Sequence, residues 1–378
     1  MSWYRFAHNS RIAPHGMLVF AFALLFSVTI GDSVVGRVLA YLTLDQFIRW
    51  APSIDENQIV LIDITEQDYE RIFERKRPLA PAKIIELIQA AHTAGAKVIA
   101  VDIDTADWPT DWEKEVRLPR DATIVWARGF YQSKENGKLK VKLDRLLAGT
   151  ETSQRECYGV PFLIQEAGII RSFYRTPKFE TTNEPSFIDQ IIHRQDHSSC
   201  LTPEDKDGGV DPRIINFTSK IFSESASTLL AESRERGWGA RPAYAGKILI
   251  VGGSFHAGAD LWGTPVGART GLEINGQALS SALRNNTRTE LSKPYSFFID
   301  FMVGLLLFFV GSKNRIWFCV IFFLVVASGG VLCLYLFRQY YLFVSFVPIW
   351  AGAAIHGVLE RYRETAPPSV SGDSARKV

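Results

Sequence analysis

Hydrophobic residues are distributed unevenly along the chain, with long apolar runs at both ends and a mixed pattern between them. Residues 13–31 contain no Asp, Glu, Lys or Arg, and three further apolar runs occupy 295–311, 316–337 and 341–360. Runs of this length without the polar face of a soluble helix are typical of membrane spans. We therefore predict four transmembrane α-helices, one N-terminal and three C-terminal. A cleaved signal peptide is the alternative for the first run, although no good cleavage site follows it.

The basic residues beside these runs predict the topology, because Lys and Arg are concentrated in cytoplasmic loops. Arg5 and Arg11 precede the first run, and Lys313 and Arg315 lie in the turn after the second run. Arg361 and Arg363 follow the last run. Both termini are then cytoplasmic. Residues 1–31 hold the N-terminus and first helix, 32–293 an extracytoplasmic domain, 294–360 three helices, and 361–378 a disordered cytoplasmic tail. We expect a multi-pass protein of a bacterial inner membrane with a large periplasmic domain.

The predicted extracytoplasmic domain shows the pattern of an α/β fold. A buried-strand run, a helix that begins at a proline and ends at Gly95, and a second buried run follow one another between residues 59 and 104. This order defines a βαβ unit and hence a parallel sheet. Further strands are predicted, followed by a closing helix at 271–286: 122–130, 213–217 and 246–253. We predict a three-layer domain with a mainly parallel sheet.

The segment 131–211 within this domain is charged and rich in turn residues, and we interpret it as an insertion over the sheet. It contains Cys157 and Cys200, the only two cysteines of the predicted extracytoplasmic region. An oxidising compartment favours a disulfide between them. The alternative is a pair of free thiols too far apart to meet.

Several stretches resemble the CHASE domain of the second type, a cyclase/histidine-kinase-associated sensory extracellular domain. They are IVLIDITEQD, AGAKVIAVDID, RIINF and GKILIVGGSFHAGADLWGTPVGARTGLEINGQAL, and the resemblance covers about residues 15–360. The matching positions of the last stretch are Gly246, Lys247, Gly252, Asp260, Thr264, Pro265, Gly271, Leu272, Glu273 and Ile274. The chain departs from the family at KRPLAPAK, which has no tryptophan, and at Asn275-Gly276, where His-Ala is usual. The resemblance implies a sensory role, and we expect a protein without a fused output domain.

Polar residues follow the predicted strands at their carboxyl ends, the edge where open α/β sheets bind ligands. We predict a ligand-binding set of Asp63, Asp102, Asp104, His256, Asp260 and Thr264. A structural network of hydrogen bonds is the alternative for the same residues. The spacing matches neither a metal motif nor a nucleotide loop, and DIDTA has Ala106 where phosphotransferases of the haloacid-dehalogenase type carry Thr or Val. We therefore predict no catalytic residue, no metal and no cofactor.

Two ionisable residues fall within the predicted membrane helices, where such residues are costly and often functional. Asp300 lies near the outer end of its run and His356 near the inner end of its own. Both can reach polar surroundings, so we interpret them as interfacial residues.

A net charge of +2 gives no argument for a nucleic-acid partner. The leading hypothesis is a non-enzymatic membrane sensory or scaffold subunit. Its exported domain binds a ligand or an envelope protein, and the subunit couples to a separate partner protein in the lipid bilayer, with homo-oligomerisation also open. The first alternative is an extracytoplasmic metal-assisted hydrolase that uses the strand-end carboxylates. The second is a transporter or channel subunit.

Overall fold

The structure is a computed structural model. It describes residues 33–109, 117–132, 139–141, 156–174, 185–197, 199–201, 212–235, 241–258, 260–284, 287–292, 295–296, 298–299, 302 and 315–345. The chain divides into two compact units, one formed by Asp45–Thr289 and the other by Met1–Leu44 together with Glu290–Val378. The boundary between them falls within the first described helix, after Leu44.

The described helices, numbered along the chain, are α1 Val34–Arg49, α2 Glu66–Arg71, α3 Pro81–Thr93, α4 Phe187–Asp196, α5 Ala226–Glu235, α6 Gly271–Leu283 and α7 Arg315–Gln339. The strands are β1 Ile54–Ile64, β2 Val98–Asp102, β3 Ile124–Ala127, β4 Phe130–Gln132, β5 Leu139–Val141, β6 Glu156–Gly159, β7 Leu163–Glu166, β8 Ile169–Tyr174, β9 Pro212–Ile214, β10 Ser219–Ser225, β11 Ile248–Gly253, β12 Leu261–Thr264, β13 Gly267–Thr270, β14 Thr289–Glu290 and β15 Leu342–Phe343.

The core of the unit Asp45–Thr289 is a six-stranded sheet in the order β10-β1-β11-β2-β3-β6, in which every neighbouring pair is parallel. Strand β11 lies at the centre, with Ile250 paired to Leu61 on one side and to Ala100 on the other. The central strands are continuous apolar runs because a parallel sheet is covered on both faces. Residues Val98–Val101 of β2, for example, are all buried.

Helices cover the two faces of this sheet. Helices α3 and α5 contact each other on one face, where Ile84 and Ile88 join a large apolar cluster with Ile62 and Val251. Helices α4 and α6 contact each other on the other face. A Cβ added at Gly276 of α6 would lie 2.9 Å from a methyl of Leu61, so this glycine permits close packing against β1. The predicted α/β domain with a mainly parallel sheet in three layers is confirmed.

A smaller sheet in the order β13-β12-β8-β7, with β9 paired to β8, accompanies the central one. The strand predicted at 213–217 belongs here as β9, antiparallel to β8, and not to the parallel sheet. The corresponding strand of the parallel sheet is β10, which the sequence pattern did not reveal. Its burial alternates weakly because it lies at the edge and keeps polar side chains toward solvent.

The segment 131–211, interpreted from sequence as an insertion, contributes to both sheets. It supplies β7 and β8 of the smaller sheet, and also β6 and α4 of the three-layer domain. The predicted disulfide is confirmed, since Cys157 and Cys200 are bonded with their Cα atoms 5.4 Å apart. It joins the edge strand β6 to the chain that follows α4.

In the other unit, α7 includes the whole of the third predicted membrane run, residues 316–337. In the same unit the Leu291 N–H donates to the Phe343 carbonyl oxygen at 2.9 Å. Judged on the residues whose placement is described, no helix is long and apolar enough to cross a membrane. The four transmembrane helices stay a prediction. The first predicted run, most of the second and fourth, the tail 361–378, and both Asp300 and His356 lie outside the described residues.

Candidate functional site

Strands β1, β11 and β2 end side by side at the carboxyl edge of the central sheet. Asp63 pairs with Gly252 in register, and Gly252 pairs with Asp102 on its other side. A Cβ at Gly252 would lie 3.1 Å from Leu272 and 3.4 Å from Asp102, so the start of α6 lies close to this edge. The two aspartates therefore stand on either side of a glycine that leaves little free space.

Asp102 is fixed by α6. Its Oδ2 accepts a hydrogen bond from Nδ2 of Asn275 at 2.8 Å, and Asn275 is only 3% exposed. Helix α6 is itself held in place at its start by a capping box in which Thr270 and Glu273 exchange hydrogen bonds. The orientation of Asp102 therefore depends on the first turns of a well-capped helix.

Asp260 lies against the same helix terminus. Its backbone carbonyl accepts from the Gly271 N–H at 3.0 Å, and its Oδ1 accepts from Trp262 Nε1 at 2.6 Å. A Cβ built on Gly271 would lie 1.9 Å from Asp260 Oδ2, so any larger residue at this point would require the Asp260 carboxylate to move. Asp260 is thus held by the backbone at the start of α6 and by one indole.

The environment of Asp102 raises its pKa to about 7. Burial is the largest cause, the negative charge of Asp260 adds to it, and the hydrogen bond from Asn275 opposes the shift. Asp102 therefore changes its charge near neutral pH, unlike an ordinary aspartate.

A second cluster lies on the Asp63 side of the edge, where the side chains bond to the loop that follows β11, and Asp63 Oδ1 is buried without a hydrogen-bond partner among the described residues. Ser254 Oγ donates to Asp63 Oδ2 at 2.7 Å, and burial raises the pKa of Asp63 while this contact opposes the rise. Glu66 accepts from the backbone N–H of His256 at 2.6 Å and contacts its ring Nδ1 at 3.0 Å. These contacts lower the pKa of Glu66. The His256 side chain is 91% exposed.

A cleft of about 690 Å³ opens at the Asp102 side of the edge. Its charged lining consists of four carboxyl groups and two guanidinium groups: Asp102, Asp104, Asp107, Asp260, Arg77 and Arg128. Its apolar lining includes Leu79, Ile103, Pro161 and Phe255. Pockets of this size with a few converging polar groups are typical of small-molecule sites.

The cleft divides the predicted ligand-binding set. Asp102, Asp104 and Asp260 line it, whereas Asp63 and His256 belong to the second cluster. Thr264 is buried, and its hydroxyl donates to the Gly267 carbonyl at 2.6 Å within the turn between β12 and β13. That contact fixes the turn. Ligand binding by any of the six stays a prediction.

Sequence reasoning missed several residues of the cleft region, among them Arg77, Asp107, Arg128, Phe255 and Asn275. Arg128 had a usable signal, because it directly follows β3 and so had to lie at the same carboxyl edge. Its guanidinium stacks over the Tyr158 ring, with the Cζ atom 5.1 Å from the ring centroid. Arg77 lies in the loop before α3, where no periodic pattern indicates which way a side chain points.

Across the part of the chain that the structure describes, no three or more His, Cys, Asp or Glu side chains are grouped so as to hold a metal ion.

The structure defines an α/β domain with a cleft at the carboxyl edge of its parallel sheet, and comparison with protein families identifies it further. The model of the CHASE2 domain matches residues 17–321, so the chain belongs to the CHASE2 family of extracellular sensory domains. The resemblance found in the sequence is thereby confirmed. Searches of curated proteins and of solved structures found no match.

Proposed function

We propose that this protein is a membrane-bound sensor whose extracytoplasmic domain binds a small ligand in the cleft and couples the bound state to a separate partner protein. The observation that carries the proposal is the meeting of Asp102 and Asp260 in that cleft. A carboxyl group whose pKa is strongly raised in a concave site, as that of Asp102 is, is typical of functional sites. Membership of a family of sensory domains supports the same role.

A route from the cleft toward α1 supports the coupling. The β12–β13 hairpin begins directly after Asp260, and its Pro265 carbonyl oxygen accepts from Arg49 Nε at 2.6 Å. Arg49 is the last residue of α1. A displacement of Asp260 on ligand binding would therefore reach the end of α1 through one short hairpin.

A buried ion pair makes a second connection to α1. Arg171 of β8 binds both carboxylate oxygens of Asp45, at 2.7 and 2.9 Å, and the two side chains are 4% and 7% exposed. β8 also pairs with β12 at Gly263. Because removal of one member leaves a buried charge alone, we expect this pair to hold the smaller sheet and the end of α1 in one arrangement.

The coupling is tested by purifying the tagged full-length chain in mild detergent and identifying what accompanies it. We expect a second protein to co-purify repeatedly, with an amount recovered that changes when small molecules extracted from the source cells are added. Repeated recovery of the chain alone, as a monomer, would contradict coupling to a partner. Recovery as a homo-oligomer alone would replace the separate partner with a second copy.

An extracytoplasmic hydrolase is the second candidate, and one observation favours it. The cleft brings Asp102, whose pKa is raised to about 7, together with a second carboxyl group, Asp260, and such a pair can provide an acid and a base. Replacing Asp102 and Asp104 by Asn tests this reading with phosphomonoester and carboxylic ester substrates. Hydrolysis that is measurable in the parent chain and lost in the variants would establish it, and an unchanged rate would exclude these two carboxylates.

A further inference from the structure

We infer that the ligand of the cleft is a small organic molecule bound through a protonated amine, which Asp102 and Asp260 hold together. The inference rests on the proposed ligand-binding function and adds the chemical class of the ligand. It depends on the arrangement of acceptors in the cleft, on the balance of charges around them and on the apolar walls.

Each of the two carboxyl groups has one oxygen that accepts a hydrogen bond from a described side chain and one that does not. Asp102 receives one hydrogen bond, on Oδ2, and Asp260 receives one on Oδ1. Among the described residues no side chain donates to the remaining oxygen of either carboxyl group. An ammonium group has three donors on a compact charge and can bridge two such oxygens.

The supporting residue Asn275 is also incompletely bonded. It is almost fully buried, its Nδ2 is committed to Asp102, and its Oδ1 has no hydrogen-bond partner among the described residues. A buried amide with one end unsatisfied is costly, and such groups often mark functional sites. The position of Asn275 next to Asp102 is explained if Asn275 keeps that carboxylate oriented for a ligand.

The charge balance favours a cation over an anion. Four carboxyl groups and two guanidinium groups line the cleft, and Asp102 and Asp260 repel each other when both are ionised. A bound ammonium would remove this repulsion. A divalent ion is less suitable, because the described His, Cys, Asp and Glu side chains provide no group of three ligands for one.

The remaining lining suits the organic part of such a molecule. Leu79, Ile103, Pro161 and Phe255 offer apolar surface to a hydrocarbon chain. The guanidinium of Arg77 is an exposed positive group of the same cleft. An amino acid would use this guanidinium for its carboxylate, whereas a polyamine would place its second ammonium near Asp104 or Asp107.

The test measures thermal unfolding of the purified full-length chain with single probes at millimolar concentration. One arm of the experiment tests the common L-amino acids, each compared with the carboxylic acid that lacks its amine. The other arm tests putrescine and spermidine. A small-molecule extract of the source cells is measured in parallel. We expect at least one amine to raise Tm and its amine-free counterpart not to do so, and the arm that responds identifies the source.

The variants Asp260→Asn and Asp102→Asn keep the shape of the side chain and its acceptor oxygen. Each is expected to weaken binding of the responding amine by about ten- to hundredfold, the usual effect of losing a charge-assisted hydrogen bond. Glu66→Gln is the matched control, because it neutralises a carboxylate of the second cluster at the same sheet edge, and it should leave the affinity unchanged within about twofold.

The outcomes separate this inference from the function on which it rests. If the extract raises Tm while every amine probe fails, or if both Asn variants bind as tightly as the parent chain, a ligand is sensed but not through an amine on these carboxylates. If neither the extract nor any probe changes Tm, the ligand-binding function fails as well.

Discussion

The carboxyl edge of the central sheet has two halves that contain similar residues and differ in how these are bonded. In the half around Asp63, Ser254 donates to one oxygen of the aspartate, the other oxygen is buried without a partner among the described residues, and Glu66 accepts from the loop at His256. In the half around Asp102, two carboxyl groups face one cleft and each receives a single hydrogen bond. The first half joins loops to one another. The second presents carboxyl oxygens to the cleft.

This difference shows why residue type alone does not identify a binding site at a sheet edge. An aspartate at the end of a parallel strand can close a loop or face a ligand, and the sequence around Asp63 and Asp102 is equally apolar in both cases. The deciding features are the glycines Gly252 and Gly271, which bring α6 close to Asp102 and Asp260. Three variants test whether the halves are as different as their bonding indicates.

The largest effect is expected from Gly271→Ala. The added Cβ would meet Asp260 Oδ2 at 1.9 Å, so the carboxylate must move and lose its hydrogen bond from Trp262. Overpacking of this kind costs about 1–3 kcal/mol of unfolding free energy. Chemical denaturation of the full-length chain measures it. Gly258→Ala is the control, because its Cβ would lie 3.5 Å from Phe255, an ordinary contact, and an equal loss there would contradict the argument.

An intermediate effect is expected from Asp102→Asn, and it depends on pH. The folded chain keeps the Asp102 proton up to about pH 7, whereas the unfolded chain releases it near the ordinary pKa of an aspartate, 3.8. The folded state therefore loses stability as pH rises through this window, by about 2 kcal/mol for a partly buried group. The groups that line the same cleft are Asp104, Asp107, Asp260, Arg77 and Arg128.

The Asn side chain stays neutral, so the variant should lack this part of the pH dependence and be more stable than the parent chain at pH 8. Denaturant unfolding at several pH values between about 5 and 8 measures how the unfolding free energy of each protein changes with pH. Parallel slopes for the two proteins would show that Asp102 is ionised in the folded chain throughout this range.

The smallest effect is expected from His256→Ala. The ring is 91% exposed and contacts Glu66 at the surface, and exposed pairs of this kind contribute little to stability because solvent screens them. The backbone N–H of residue 256 still donates to Glu66 in the variant. Tm and amine binding should both stay near their parent values, and a marked loss of binding would place the second cluster within the site.

The fold was predictable where hydrophobic runs are long. β1, β2, β11, α3 and α6 follow from apolar runs bounded by proline or glycine. The edge strands β6 and β10 do not, because β6 is only four residues long and β10 alternates polar side chains along an exposed edge. The smaller sheet was missed since its strands are short and follow charged, turn-rich sequence.

The candidate site was predictable in part for a similar reason. Parallel topology places Asp102 at the sheet edge, and Asp104 and Asp260 follow strands that end there, so the sequence alone placed three of the cleft residues. Which neighbours orient them depends on tertiary packing. Asn275 was noted only as a departure from the family pattern, although in the structure it holds Asp102.

The central position of β11 has a consequence for how the protein forms. Its partners β1 and β2 come from the first part of the domain. They do not pair with each other, because β11, formed by residues 248–253, lies between them and joins them. Such long sequence separations slow folding and leave strand edges open in the meantime. A nascent chain that ends before Ile248 therefore contains two halves of a sheet without their middle strand. The domain acquires its structure only after nearly all of it has been synthesised.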